Sequence, residues 1–281
     1  MEVICLQSGS SGNCIYVETD DVKLLFDAGI SGSQTEQRLA HHGKDVRAVD
    51  ALIISHDHRD HTACMGILHR KYGIPIHISE PTLKTVERTM DLGRVDEVEL
   101  FQSGDSFSVG NVTIETIPTP HDAVDGVAFV VEDHQHRFGV LTDLGHVFPE
   151  LEDVVASLDA VIIESNYDEA MLRRSPYPDF LKKRIHGPQG HISNLDAARL
   201  LHEAASEKLQ WACLAHLSDE SNCPDLALET HRNVLGTGFE LLCADRKNST
   251  EVLKISEFFD GFDRLSPKCN RLRAQQQTFT W

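Results

Sequence analysis

No stretch of this 281-residue chain is a long hydrophobic run. Nothing approaches the roughly 18 to 20 consecutive apolar residues that a membrane-spanning helix requires, so no membrane association is expected. The opening Met1-Glu2-Val3-Ile4-Cys5 lacks a basic stretch and a small-residue cleavage pattern. A secretory leader is therefore not expected, and the expected location is cytoplasmic. Cysteine is sparse and poorly arranged for bridging: seven residues, at 5, 14, 64, 213, 223, 243 and 269, form no Cys-x-x-Cys pair. An odd number excludes a complete intramolecular disulfide framework, and reduced thiols are the default. Positive charge is also short, with 26 Lys and Arg against 44 Asp and Glu and a formal net charge of −18. That balance excludes a broadly electropositive surface of the kind that binds nucleic acid without specificity.

What is present is an ordinary globular composition, 41% hydrophobic and 25% charged, with an unusual 16 histidines. If carboxylates and histidines together hold divalent cations, the formal charge overstates the negative potential near them. Short apolar, partly β-branched runs bounded by turn residues predict strands at Glu2 to Leu6, Cys14 to Glu18, Val22 to Phe26 and Ala51 to Ile54, with further strands between Val98 and Ile117. A hairpin is expected from Val127 to Val131 and Arg137 to Leu141, then strands at Ala160 to Glu164, Trp211 to Ala215 and Phe239 to Cys243. Helices are expected at Ser33 to His42, closed by Gly43, at Thr62 to Lys71, closed by Gly73, and at Asn194 to Ser206 and Pro224 to Leu235. Strands mixed with helices, without a linker or repeat, predict one α/β sandwich domain over 1–257. Residues 258–281, with Gln275-Gln276-Gln277, lack an apolar period and read as a C-terminal tail.

The richest chemistry lies in Ile53-Ile54-Ser55-His56-Asp57-His58-Arg59-Asp60-His61, where a strand runs into a turn with three imidazoles and two carboxylates besides Arg59. Neutral imidazoles with carboxylates suit Zn²⁺, Mn²⁺ or Fe²⁺. A tight turn can aim His56 and His58 at one ion and Asp60 and His61 at another. Three more polar residues end apolar runs downstream: His121 after Ile117-Pro118-Thr119-Pro120, Asp143 after Gly139-Val140-Leu141-Thr142, and His216 after Trp211-Ala212-Cys213-Leu214-Ala215. Together they complete two ligand sets. Cys64, on the following helix, reads as a small buried residue and not a ligand.

On these residues the chain resembles the metallo-β-lactamase-fold hydrolase superfamily over about residues 1 to 256. The resemblance implies an αββα four-layer sandwich and two divalent metal ions. It assigns His56, His58, His121 and Asp143 to one ion, and Asp60, His61, Asp143 and His216 to the other. Asp27, ending Leu24-Leu25-Phe26, matches the acidic residue that orients the histidine turn from behind. His61 and Asp143 stand where the best-known zinc β-lactamases carry Arg and Cys, which disfavours antibiotic hydrolysis. His58 stands where flavo-diiron oxidases carry Glu. Within the superfamily, Leu6 to Cys14, Glu164-Ser165-Asn166-Tyr167, Gly190 to Asn194 and Ala215 to Pro224 are similar to the YycJ/WalJ-type branch. That branch implies a metal-dependent 5′-to-3′ exonuclease acting on DNA, with room for DNA-repair proteins as partners.

The residues themselves are compatible with phosphate handling. Ser10, Ser11 and Asn13 sit in a Gly/Ser-rich turn able to offer donors to an anion, though a plain hairpin loop reads the same way. Ser193 or Asn194 can cap the following helix, and Asn166, Ser218 and Asn222 are further candidates for substrate contact. His191 is the candidate general acid, and Asp60 can accept a proton from the attacking water. Arg173, Arg174, Lys182, Lys183, Arg184 and His186 fall together with Asp179 as the one acid among them, and Tyr167 and Tyr177 lie close enough to stack on a base. The same metal residues would also serve a thioesterase or lactonase of the glyoxalase II kind, from which the basic run is the discriminating feature. A non-catalytic metal-binding scaffold is disfavoured by the complete ligand set.

Overall fold

Side-chain alternation dictates the layering. In β1 (Glu2–Gln7), Val3 and Cys5 enter one apolar cluster while Ile4 and Leu6 enter another. The same split recurs in β2 (Cys14–Glu18), β3 (Lys23–Phe26) and β4 (Ala51–Ile53). Strands buried on both faces need cover on both, which explains why they read as continuous apolar runs. The computed structural model describes residues 1–256, and the expected tail at 258–281 lies outside the described residues.

The first sheet adds β5 (Ile76–Ser79) and β6 (Val98–Phe101), in the order β1-β2-β3-β4-β5-β6. Pairing is antiparallel as far as β3 and parallel from β3 to β6. The second sheet holds β7 (Ser106–Val109), β8 (Val112–Pro118), β9 (Val127–Glu132), β10 (Arg137–Leu141), β11 (Ala160–Glu164), β12 (Trp211–Ala215) and β13 (Glu240–Cys243). It follows the same plan, antiparallel to β10 and parallel from β10 to β13. The last described strand, β14 (Leu253–Lys254), returns to pair with β1. Strands expected between Val98 and Ile117 thus divide between the sheets.

Helices cover both outer faces. On the first sheet lie α1 (Gly32–His41), the short α2 (Arg59–Thr62), α3 (Met65–Tyr72) and α4 (Glu80–Thr89), and Leu39, Met65, Leu68 and Val86 bury there. On the second, α5 (Pro149–Ser157) packs beside two later helices, whose buried residues include Ala197, Leu201 and Ala227. Between α5 and those helices run α6 (Glu169–Arg174) and α7 (Asp179–His186), which form a small separate cluster through Leu172 and Ile185. The later pair are α8 (Asn194–Ala204) and α9 (Pro224–Leu235). The result is the αββα sandwich, with a central core between the sheets that includes Phe26, Phe129, Phe138 and Trp211.

Two helix expectations need correction. The first helix begins one residue early because Ser31 caps it in a reciprocal box with Gln34, and it ends at His41, ahead of Gly43 at φ 72°. The expected continuous helix from Thr62 to Lys71 is broken at Ala63 and Cys64, where the Cys64 N–H donates to the Ala28 carbonyl at 2.8 Å. That bond ties the histidine turn to the end of β3. Gly29 lies against the same turn, where a Cβ would sit 1.7 Å from the Asp60 carbonyl oxygen.

Candidate metal centre

The seven expected metal ligands lie around one point where strand ends of both sheets meet. Among the described residues, three non-glycine positions have positive φ: Asp27 at 63°, Asp143 at 55° and His216 at 54°. Each lies just past a strand, respectively β3, β10 and β12. Left-handed backbone at such residues costs on the order of 1 kcal/mol apiece and clusters where side chains must be aimed. Here the turn reverses the chain as it leaves the sheet and directs each polar side chain into the junction.

Asp27 organises the histidine turn. Its Oδ1 accepts from the Ser55 amide at 2.9 Å and the Ser55 hydroxyl at 2.8 Å, and its Oδ2 lies 2.7 Å from His61 Nδ1. That carboxylate keeps the proton on Nδ1, so His61 Nε2 is the lone-pair nitrogen, 3.3 Å from Asp143 Oδ2 and 3.5 Å from Asp60 Oδ2. Ser55 Oγ, having given its hydrogen to Asp27, accepts from His56 Nδ1 at 2.9 Å. His121 Nδ1 donates to the Gly190 carbonyl at 2.7 Å, leaving Nε2 3.5 Å from Asp143 Oδ1. Each supporting bond therefore presents a ring nitrogen without a proton to the junction.

Three buried atoms there have no hydrogen-bond partner: His56 Nε2, His216 Nε2 and Asp143 Oδ2. One unsatisfied buried polar atom costs about 1–3 kcal/mol, so three converging on one place fit a bound cation. The His58 Nδ1 to His121 Nε2 separation is 3.3 Å, the spacing of two ligands on one tetrahedral ion with bonds of roughly 2.0–2.1 Å. Potential ligand groups are His56, His58 and His121; His56, His61 and Asp143; Asp60, His61 and His216; and Asp143, Glu164, His191 and His216. Asp143 belongs to two of these groups and lies between His121 and His61, 3.5 Å from the one and 3.3 Å from the other. Cys64 is in none of them, and the six cysteines of the described residues are free thiols.

The charge pattern asks for cations. Burial would raise the carboxyls of Asp143 and Asp60, yet neighbouring histidines outweigh it and hold both well below the ordinary carboxylate range. Burial would lower the His216 imidazole, but Asp143, Asp60 and Glu164 push it up to about 10, and Asp27, Asp143 and Asp60 likewise raise His61. His56 goes the other way, lowered by burial and by the charge of His61. Divalent ions at the junction would neutralise the same carboxylates that raise the His61 and His216 imidazoles.

One site residue carried no assignment from the sequence. Glu164, fully buried at the end of β11, accepts from His191 Nδ1 at 2.6 Å and from the Leu144 and Ile192 amides at 3.2 Å, and its Oε1 is 3.3 Å from His216 Nδ1. Burial alone would raise its carboxyl, but the charge of His191 outweighs that and brings it down to about 2. The available signal was a carboxylate ending an otherwise apolar strand, the position Asp27 and Asp143 take just past theirs.

The proposed substrate contacts divide. Ser10 and Ser11 are exposed on their turn. Asn13 is buried against the centre, its Nδ2 3.3 Å from Asp60 Oδ2 and 3.0 Å from His61 Nε2. Asn166, Asn194, Ser218 and Asn222 are all buried; the three asparagine side chains are bonded within the protein, whereas Ser218 is held through its backbone. Asn166 donates to the His216 carbonyl at 2.8 Å and accepts from the Ser218 amide at 2.8 Å. Asn194 and Asn222 exchange amide bonds at 3.0 and 2.8 Å. The helix cap at this point is Ser193, which accepts from the Asp196 amide at 3.1 Å. Stacking by the two tyrosines is corrected: Tyr167 is buried with its hydroxyl 2.8 Å from His186 Nδ1, and Tyr177 packs into the α6–α7 cluster.

A Beta-lactamase superfamily domain model matches residues 23–213. The chain is 33% identical over 254 residues to exodeoxyribonuclease YycJ of Bacillus anthracis, covering 88% of this chain and 96% of that protein. It is 37% identical over 232 residues to exodeoxyribonuclease WalJ of Streptococcus pneumoniae serotype 2, covering 82% and 86%. The solved metallo-beta-lactamase fold protein YhfI from Bacillus subtilis shares the fold at a TM-score of 0.67 and 20% identity, over 89% of this chain and 98% of that one.

Proposed function

The chain belongs to the beta-lactamase superfamily, a family of metal-dependent hydrolases, and from that membership we propose that it is a 5′-to-3′ DNA exonuclease working with two divalent ions. The observation that carries this reading is near full-length similarity to two exodeoxyribonucleases in a chain whose His, Asp and Glu side chains gather into groups able to hold metal ions. Histidine and carboxylate ligands without thiolate suit Zn²⁺, Mn²⁺ or Fe²⁺. Bound there, such ions supply Lewis-acid neutralisation of a phosphodiester and activation of a water.

The residues around the ligands have separate tasks. Asp27 and Ser55 hold the ring orientations of His61 and His56. Glu164 accepts from His191 Nδ1 in a 2.6 Å bond and so orients the ring, whose Nε2, when the imidazole carries both protons, can donate to a leaving 3′-oxygen. The His191 ring centroid is 4.9 Å from that of His121 and 5.2 Å from that of His216, which supports a general-acid role for it beside the candidate ligands. The basic run from Arg173 to Arg184 reaches the centre through Arg184, which pairs with Asp122 beside His58 and His121, and suits a polyanion better than a neutral thioester or lactone.

The test is digestion of 5′- and 3′-labelled single- and double-stranded DNA by purified protein with Mn²⁺ or Zn²⁺, with His58→Ala as the blank. Metal-dependent release of mononucleotides from the 5′ end, absent in the variant, is the expected result. A metal-loaded protein that leaves DNA intact and cleaves thioesters or lactones would overturn it.

A further inference from the structure

Phe180, at 74% exposure, is the most exposed large hydrophobic side chain of the described residues. One exposed apolar residue is ordinary on a protein surface. The surroundings of this one are not. It lies in the first turn of α7, a helix that grips the body of the protein through Leu181 and Ile185. At helical spacing, Phe180, Lys183 and Arg184 then share the opposite face, and residues four apart stand about 5–6 Å from one another.

That face begins at the edge of the metal centre. Arg184 clasps Asp122, through a short bond from Nε and a second from Nη2 at 3.0 Å. Asp122 directly follows His121, and its Oδ1 lies 3.5 Å from His121 Nε2 and 3.7 Å from His58 Nε2. Phe180 is one helical turn beyond Arg184, on the outward side. Five of the chain's 26 Lys and Arg residues fall between 173 and 184, with Asp179 as the lone acid, in a protein of formal charge −18. Lys182 ties α7 to α6 by donating to the Arg173 carbonyl at 2.9 Å, while Lys183 has no carboxylate partner among the described residues. An exposed aromatic with a lysine on the same helix face suits a strand of stacked bases and phosphates.

We propose that Phe180 stacks on a base of the DNA strand whose phosphodiester lies at the metal centre, with Lys183 on its backbone, and so positions single-stranded substrate. This rests on the exonuclease reading. Phe180 replaces the two tyrosines as the aromatic platform and touches no ligand, so its effect belongs in substrate capture and not in the chemical step.

The experiment compares wild type, Phe180→Ala and Phe180→Trp with Mn²⁺ on a 2-aminopurine-labelled single strand and on thymidine 5′-(p-nitrophenyl phosphate), which has no neighbouring base. Phe180→Ala is expected to raise KM for the strand roughly tenfold, the order of one lost base stack, with kcat within about twofold. It should also lose the 2-aminopurine quench and leave hydrolysis of the small diester unchanged, while Phe180→Trp retains KM and quench. Unchanged KM in Phe180→Ala would overturn the proposal and leave the exonuclease reading intact. Equal losses on strand and small diester would overturn it in favour of a structural role. A wild type that neither quenches nor cuts the strand would remove the exonuclease reading and this proposal with it.

Discussion

Replacing Asp27 by Asn isolates the support of one ion. Asparagine tolerates the left-handed backbone that Asp27 adopts at φ 63°, so the turn should survive. The carboxylate accepts from the Ser55 amide at 2.9 Å, from the Ser55 hydroxyl at 2.8 Å and from His61 Nδ1 at 2.7 Å. An amide has one acceptor oxygen and two N–H donors, so it can satisfy Ser55 or His61 but not both. The Ser55 amide is fixed in the backbone, which leaves His61 facing a donor. Losing a hydrogen bond to a charged acceptor costs about 1.5–3 kcal/mol, or roughly 10- to 150-fold in an equilibrium constant. That agrees with the 10- to 100-fold weakening typical when a carboxylate behind a metal-bound histidine is removed. The loss should fall on the ion held by Asp60, His61 and His216 more than on the one held by His56, His58 and His121. Competition against a chromophoric zinc chelator, fitted to two sites, measures both affinities, and melting of the metal-free variant checks the fold. Wild-type affinity at both sites, or equal weakening of both, would refute the role assigned to Asp27.

Three further outcomes follow from the same geometry. Asp143→Ala should weaken both ions together, whereas His216→Ala should spare the set of His56, His58 and His121; equal loss of both ions from the His216 variant by metal analysis would count against the assignment. His191→Ala should keep two ions and the melting temperature but lose about 10²- to 10⁴-fold in turnover on DNA, with partial rescue by a p-nitrophenyl leaving group, and unchanged turnover would remove it from the mechanism. Burial pushes the His231 imidazole down to about 4, with Nδ1 bonded to the Ala227 carbonyl at 2.9 Å and Nε2 unpartnered. Below pH 6.5 the unfolded chain takes up a proton that the folded one refuses, so stability falls between pH 6.5 and about 4, by up to about 3 kcal/mol. Urea melts of His231→Leu against wild type across that window should show a shallower acid decline in the variant; parallel curves would show that His231 does not titrate between the two states.

Much of the centre was legible because its ligands follow apolar β runs, a pattern that places a polar side chain at the end of a buried strand whatever the sheet order. His56 to His61, Asp143 and His216 stood out in that way, with His121 a few residues past its own strand, and the alternation in β1 to β4 already demanded cover on both faces. Tertiary structure alone decided what each group faces. Glu164 ends its strand as Asp27 and Asp143 follow theirs, but only the packing of the 185–192 segment against β11 makes it the partner of His191. Asn166, Asn194, Ser218 and Asn222 look like donors for a phosphate in one dimension, and in three they are buried, with the three asparagine amides bonded within the protein. Tyr167 and Phe180 are alike in sequence and opposite in exposure, because the α6–α7 cluster buries one and turns the other outward. Local sequence determines which groups are polar, which backbone is extended and where a strand must stop. Whether a polar group meets solvent, a substrate, an ion or a neighbour depends on contacts between segments far apart in the chain, such as Asp27 with His61 and His191 with Glu164, and those exist only once both sheets have closed on their common core.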